Sequence, residues 1–121
     1  MATSCQRGSH WERIAESFLN KRGLKTLERN YRARFGEIDL VMLDGNTLVF
    51  TEVRYRKYGH HGTGADSVTC TKQKRIISAA RRFLQCHPDD SFRPCRFDVV
   101  SIGMEEGKTL LNWIQNAFDA G

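Results

Sequence analysis

The sequence predicts an α/β fold, a three-layer α/β/α sandwich in which a central mixed sheet carries a helix on each side. Its 121 residues, 40% of them hydrophobic and 27% charged, suit one domain with its own core, spanning residues 1–121. Apolar residues recur at helical spacing in two segments, and in several others they alternate or run continuously as in strands. These segments follow one another in the order α-β-β-β-α-β, with a further apolar tail.

The first helix is predicted to begin at Ser9, because Ser9 and Glu12 form a Ser-x-x-Glu capping box. The helix ends near Gly23, and residues 24–32 then read as the first strand. In this interpretation Glu12 has a structural role, since its carboxylate caps the first turn. One apolar stripe of this helix faces the core, formed by Trp11, Ile14, Ala15, Phe18 and Leu19.

A β-hairpin is predicted over residues 36–56, GEIDLVMLDGNTLVFTEVRYR, where two runs of strand-forming residues flank a turn. Gly45 and Asn46 can take the positive φ values that tight hairpin turns need. A loop of these two residues places Val41 opposite Phe50. A three-residue loop or a bulge would shift this register.

The same register brings two carboxylates, those of Asp39 and Glu52, face to face away from the turn. Because like charges directly opposed are destabilising, this pair needs a cation or a shared proton, and a divalent metal meets that need. Glu37 and Arg54 fall on the same face by alternation. The competing interpretation is a solvated acidic surface, although these carboxylates interrupt otherwise apolar strands.

A second helix is predicted from a cap at Thr71 to about Cys86, where Pro88 stops the run. Its outer face is basic, which suits either phosphate binding or an ordinary solvated face. We favour phosphate binding, because few acidic residues accompany the cations. The residues expected to bind nucleic acid are Arg56, Lys72, Lys74, Arg75 and Arg82.

Three further segments leave alternatives open. Residues 57–64 form a basic, glycine-rich stretch that suits either nucleic-acid contacts or a flexible connection. Residues 95–102 read as a strand, in which Asp98 either serves a metal or substrate or, as we favour, fixes a neighbouring arginine. Residues 110–118 keep apolar side chains for packing, as a helix or as a strand.

The formal net charge of +5 and a pI near 9.3 favour an anionic partner, most commonly nucleic acid, with an acidic protein or a membrane surface as alternatives. No apolar segment reaches about 18 residues and the N-terminus lacks an export signal, so we expect a cytoplasmic protein that does not insert into membranes. The cysteines are interpreted as free thiols, the alternative being a zinc site built from Cys86, His87 and Cys95.

Residues 36–39, GEID, and 50–56, FTEVRYR, resemble the YraN-like family of small bacterial proteins, predicted endonucleases of the PD-(D/E)xK superfamily related to archaeal Holliday junction resolvases. The resemblance covers nearly the whole chain, from Gly8 through Lys72 to residues 96–100. It implies a restriction-endonuclease-like fold, which agrees with the predicted sandwich. It also implies a metal-dependent nuclease that acts on DNA, including branched, recombination or repair intermediates.

The resemblance also implies roles for the hairpin residues. Asp39 and Glu52 hold Mg²⁺ or Mn²⁺ with Glu37 as a further ligand, and Glu12 becomes a helix-borne carboxylate of the site instead of a cap. The superfamily places a lysine two residues after the glutamate, where this chain has Arg54. The alternative function is therefore a catalytically weak or inactive nucleic-acid-binding module, in which Arg54 pairs with Glu37. The oligomeric state is left open, with a homodimer as one alternative because junction-cleaving relatives act as dimers.

Overall fold

The structure is a computed structural model that describes residues 4–56 and 68–120. Its elements follow the chain as α1 Ser4–Lys21, β1 Lys25–Ala33, β2 Gly36–Asp44, β3 Thr47–Arg56, α2 Cys70–Cys86, β4 Cys95–Glu105 and β5 Lys108–Phe118. The strands form a five-stranded sheet in the order β1-β2-β3-β4-β5. β3 and β4 are parallel, and α2 is part of the crossover connection that parallel strands need. The other neighbouring strands are antiparallel. The predicted mixed sheet is confirmed.

The two helices lie on opposite faces of this sheet. Leu19 of α1 packs in one buried cluster and Phe83 of α2 in another. Along β3, Val49 belongs to the α1 cluster and the adjacent Phe50 to the α2 cluster, as the alternation of side chains in a strand requires. The architecture is therefore the predicted α/β/α sandwich of the restriction-endonuclease-like type.

β2 and β3 form the predicted hairpin. Asp44 pairs with Thr47 across a two-residue loop, in which Gly45 has a φ of +60°. Val41 faces Phe50 as predicted. The turn residues and the period of two along the strands were therefore sufficient to fix the register near the loop.

Both predicted helix caps are wrong. α1 begins at residue 4, so Ser9 and Glu12 lie inside the helix and cannot cap its start. A Ser-x-x-Glu spacing also suits the interior of a helix, where residues three apart are neighbours. The cap of α2 is Thr69, whose hydroxyl accepts a hydrogen bond from the backbone N–H of Lys72 at 3.1 Å. Thr71 lies in the first turn of α2.

The tail that the sequence left open, residues 110–118, is part of strand β5. It runs antiparallel to β4 after a turn in which Glu106 and Gly107 have φ values of +51° and +74°. β4 itself continues to Glu105, beyond its predicted end at residue 102, because β5 provides partners for these extra residues.

Asp98 of β4 is completely buried. Its carboxylate accepts hydrogen bonds from Nε of Arg96 at 3.0 Å, from Nε1 of Trp113 at 3.0 Å and from the backbone N–H of Asn116 at 2.9 Å. Arg96 also reaches the carboxylate of Asp44 at 3.0 Å, which ties β4 to the end of β2. Asp98 therefore has the structural role expected for it, that of fixing a neighbouring arginine.

Three further predictions concern single segments or residue types. Residues 57–64, for which nucleic-acid contact or a flexible connection was left open, lie outside the described residues. Cys70, Cys86 and Cys95 carry free, exposed thiols, as predicted. Within the described ranges, no helix is both long enough and apolar enough to cross a membrane.

Candidate active site

The candidate site forms where β2 and β3 separate. Their regular pairing ends at Leu40 and Thr51. Just beyond this pair, Oδ2 of Asp39 accepts a hydrogen bond from the backbone N–H of Val53 at 2.8 Å. The side chain of Asp39 therefore bridges the two strands at the point where their backbones no longer pair.

An irregularity in β2 accompanies this bridge. The pairs between β1 and β2 flank Asn30, which has a φ of +51°, a left-handed conformation that asparagine tolerates better than most residues. Ile38 and Val41 pack in the same cluster with α2, although strict alternation puts residues three apart on opposite faces. The alternation on which the predicted face of Asp39 depended is therefore broken.

α1 brings two glutamates, Glu12 and Glu16, to one side of the helix, one turn apart. Glu16 is only 8% exposed and accepts a hydrogen bond from Nε of Arg29 at 2.8 Å. Burial opposes ionisation of Glu16, but its hydrogen bonds from Arg29 and from a threonine hydroxyl outweigh burial and lower its pKa. Glu16 thus anchors α1 on β1, and this anchor holds Glu12 beside Asn30 and Asp39.

Glu52 is the buried member of the site, with 5% of its surface exposed. Burial, together with the hydrogen bond to Asp39 and the charge of Asp39, raises the pKa of Glu52 to about 9. Nζ of Lys72 lies 3.6 Å from Oε2 of Glu52, and the charges of Lys72 and Arg54 offset this shift only in part. Glu52 therefore holds a proton at neutral pH unless another cation neutralises it.

Glu12 is the third carboxylate and is half-buried. Burial raises its pKa to about 7, helped by the charge of Asp39 and a hydrogen bond to Asp39, while the side chain of Asn30 acts in the opposite direction. Asp39 therefore has a glutamate on each side, from α1 and from β3. We call these three side chains, Glu12, Asp39 and Glu52, the carboxylate row.

Within the carboxylate row, Asp39 and Glu52 offer the oxygen donors that a hard divalent cation takes. Mg²⁺ and Mn²⁺ prefer oxygen ligands, and Mg²⁺ is commonly held by one or two carboxylates together with water and substrate phosphates. Among residues 4–56 and 68–120, no group of three or more His, Cys, Asp or Glu side chains is arranged to hold a metal ion. Asp39 and Glu52 meet the requirement of one or two carboxylates. Without a metal, the raised pKa of Glu52 keeps a proton between these two carboxylates, and a cation would supply the same positive charge.

Two of the predicted site residues lie at the margin of the row. Arg54 follows Glu52 on β3, and its charge favours the ionised form of Glu52. Glu37 is exposed, and its carboxylate lies 3.6 Å from Nε of Arg32, so within the described residues its ion-pair partner is Arg32 and not Arg54, as the alternative had it. Glu37 affects the row through its charge, which is the smallest contribution to the raised pKa of Glu12.

The predictions did not place two residues, Lys72 and Asn30, in contact with the row. Lys72 was expected on the nucleic-acid surface alone, whereas its ammonium group also faces Glu52. The position of Lys72 could have been predicted from the topology. A crossover helix starts near the carboxyl end of the strand before it, so the first turn of α2 lies near the end of β3. Asn30 offered only the weak signal of an asparagine within a strand, where this residue is disfavoured.

The chain is similar to one family of proteins along most of its length. The family described as "Uncharacterised protein family UPF0102" matches residues 11–102. The chain belongs to the UPF0102 family. This confirms the resemblance to YraN-like proteins, and the matched residues include the carboxylate row and Lys72.

Individual UPF0102 proteins are similar to this chain from end to end. The UPF0102 protein of Nitrosococcus oceani is 46% identical over 117 residues, which cover 97% of this chain and 94% of that protein. The UPF0102 protein of Stutzerimonas stutzeri is 48% identical over 120 residues, covering 99% and 100% of the two chains. The UPF0102 protein of Alcanivorax borkumensis is 50% identical over 112 residues, covering 92% and 90%.

Two basic clefts in this UPF0102 chain lie between α2 and the turn that joins β1 to β2. The first has a volume of about 520 Å³ and is linked to the carboxylate row by Lys72, which lines this cleft and whose ammonium group faces Glu52. The second has a volume of about 470 Å³ and lies farther along α2. The charged residues that line the first cleft are Arg32, Arg34, Glu37, Lys72 and Arg75, and those that line the second are Arg34, Arg81 and Arg82.

The clefts contain three of the five residues expected to bind nucleic acid. Lys72 and Arg75 line the first cleft, and Arg82 lines the second. Lys74 is exposed on α2 but lines neither cleft, and Arg56 is the last residue of β3. The basic surface of α2 is therefore continuous with the row through Lys72.

Proposed function

We propose that this protein is a metal-dependent nuclease that hydrolyses phosphodiester bonds in DNA. One observation carries the proposal: three carboxylates from α1, β2 and β3 converge, and a basic cleft opens beside them at Lys72. Carboxylates alone would repel a phosphate, whereas carboxylates that hold a cation next to a basic cleft attract one. The resemblance to the PD-(D/E)xK superfamily supports the same function.

In this function Asp39 and Glu52 hold Mg²⁺ or Mn²⁺. The bound cation supplies a more acidic water molecule and neutralises charge on the scissile phosphate. Asp39 keeps its hydrogen bond from the backbone of Val53, which fixes the orientation of the carboxylate. Glu12, whose pKa is raised to about 7, is suited to accept and release a proton near neutral pH.

The basic residues beside the row have separate tasks. Arg54 stays protonated, because the pKa of arginine lies above about 12, so it orients phosphate or water and is not a general base. Lys72 provides an ammonium group 3.6 Å from Glu52 although it comes from α2 and not from β3. We infer that Lys72 takes the place of the lysine that the superfamily carries at the position of Arg54.

The test is a cleavage assay with Mn²⁺ on single-stranded, nicked, forked and four-way-junction DNA. Wild type should cleave at least one of these substrates, and Glu52→Gln and Lys72→Ala should each lower the rate by a factor of about 100 or more. Glu105→Gln, which removes an exposed carboxylate at the last residue of β4, serves as the matched control and should leave the rate unchanged. Binding of DNA without cleavage of any substrate would instead support the inactive binding module.

A further inference from the structure

Phe35 occupies a place on the molecule that packing does not explain. It belongs to the two-residue turn between Ala33 of β1 and Gly36 of β2, and 67% of its surface is exposed. A buried phenyl side chain stabilises a fold by about 1.5–3 kcal/mol, and Phe35 contributes little of this because its ring is mostly exposed. Turns of this length favour small or polar residues, so turn formation does not call for a phenylalanine either.

The turn is held firmly against α2. A Cβ atom added to Gly36 would overlap the backbone carbonyl of Arg75, so only glycine allows β2 to approach the helix this closely. The guanidinium group of Arg34 lies over the ring of Phe35, 5.1 Å from its centroid. The contact of Gly36 with Arg75 therefore positions Phe35 next to α2.

Phe35 separates the two basic clefts. Ala33, Arg34 and Phe35 line both of them. Arg75 in the first cleft and Arg82 in the second are seven residues apart on α2, which corresponds to about 10 Å along the helix. A polynucleotide strand that passes from one cleft to the other brings its phosphates to the arginines and a base to the phenyl ring between them.

We propose that Phe35 stacks on a nucleobase, and that the substrate is DNA with an unpaired base close to the cleaved phosphate. This inference rests on the proposed function, because the first cleft reaches the carboxylate row through Lys72. An aromatic ring between cations is the arrangement by which proteins hold single-stranded nucleic acid. In an intact duplex each base is already stacked on both faces, so Phe35 has access to a base face only at single-stranded segments and forks.

The test measures binding separately from cleavage. Fluorescence anisotropy, with a chelator present so that no DNA is cut, gives the affinity for a single strand and for a fork with two unpaired arms. Relaxed, covalently closed plasmid is added as an unlabelled competitor to give the affinity for continuous duplex. Phe35→Ala should weaken binding of the single strand and the fork about tenfold or more and leave the affinity for the plasmid unchanged. Phe35→Trp should restore binding.

Phe92→Ala is the matched control. Phe92 is 72% exposed and has Arg93 over its ring at 5.4 Å, but it lines neither cleft. Stacking by Phe35 is refuted if Phe35→Ala and Phe92→Ala bind the fork equally well, or if Phe35→Ala weakens all DNAs by the same factor. Wild type that binds none of these DNAs would overturn the proposed function as well, whereas binding without Mn²⁺-dependent cleavage would overturn only the nuclease.

Discussion

Replacing Asp39 with asparagine should stabilise the metal-free protein at high pH. Asparagine has the same shape and can still accept the hydrogen bond from the backbone N–H of Val53, so the bridge between β2 and β3 is kept. The substitution removes the negative charge that lies between Glu12 and Glu52. Its main effect is therefore electrostatic.

The size of the effect follows from the two raised pKa values. The values for Glu12 and Glu52, about 7 and about 9 in the folded protein, lie above the ordinary value of 4.5. The folded protein thus binds more protons than the unfolded chain between about pH 4.5 and 9, and its stability falls as the pH rises through this window. One pKa unit corresponds to about 1.4 kcal/mol, and burial continues to act after the substitution. We expect Asp39→Asn to reduce the loss of stability between pH 5 and 8 by about 1 to 2 kcal/mol.

Urea unfolding with a chelator, at pH 5, 6, 7 and 8, measures this effect. The free energy of unfolding of wild type should fall over the series, and that of Asp39→Asn should fall less. Glu105→Gln removes an exposed carboxylate outside the row and should follow wild type. Parallel pH profiles for wild type and Asp39→Asn would refute the charge coupling within the row.

Three further predictions concern the basic and buried residues. Arg75→Glu combined with Arg82→Glu should weaken binding of all DNAs at least tenfold and reduce the slope of log affinity against log salt by about 2, measured by anisotropy. Arg54→Ala should lower Mn²⁺-dependent turnover by a factor of about 100 without loss of Mn²⁺ binding, because Arg54 orients phosphate beside the metal ligands. Asp98→Asn should cost about 3 kcal/mol or more of unfolding free energy, since Arg96 then loses a buried charged partner.

Each of these predictions has a control in the chain. Lys21→Glu with Arg22→Glu makes the same charge change at the exposed end of α1, and an equal loss of DNA binding there would show that only net charge matters. Arg54→Lys should keep part of the turnover, and normal cleavage by Arg54→Ala would rule out a catalytic role. Asp44→Asn removes the charge of the partly exposed partner of Arg96 and should cost less than about 1 kcal/mol. A similar cost for Asp98→Asn would contradict the buried role of Asp98.

The hairpin could be predicted because its determinants are local, and its register also placed Asp39 near Glu52, although the backbones of these two residues do not pair. Gly45 and Asn46 set the loop, and a period of two sets which residues face each other. The break in alternation at Asp39 could not be predicted from β2 alone, and it lies across from Asn30, whose φ is positive, in the neighbouring strand.

The residues that the sequence left ambiguous owe their roles to distant contacts. The sequence around Glu12 suits a role as a helix cap as well as a role in a carboxylate site. The start of α1 at Ser4 excludes the cap, and the contact with Asp39 places Glu12 in the carboxylate row. Lys72 and Phe35 are far apart in sequence, and the packing of the β1–β2 turn on α2 brings both to one cleft. The tail became a strand because β4 offers a partner for it, and its own side chains do not choose between helix and strand.

Calorimetric titration with Mn²⁺ at pH 7.5, in two buffers of different ionisation enthalpy, tests most directly whether the carboxylate row is a metal site. Glu52 has a pKa of about 9 and is protonated at this pH without metal, so binding of the cation must displace its proton. We expect about one proton or more released per Mn²⁺ bound by wild type, and no measurable Mn²⁺ binding by Asp39→Asn. Binding without proton release, or unchanged binding by Asp39→Asn, would contradict a metal site at Asp39 and Glu52.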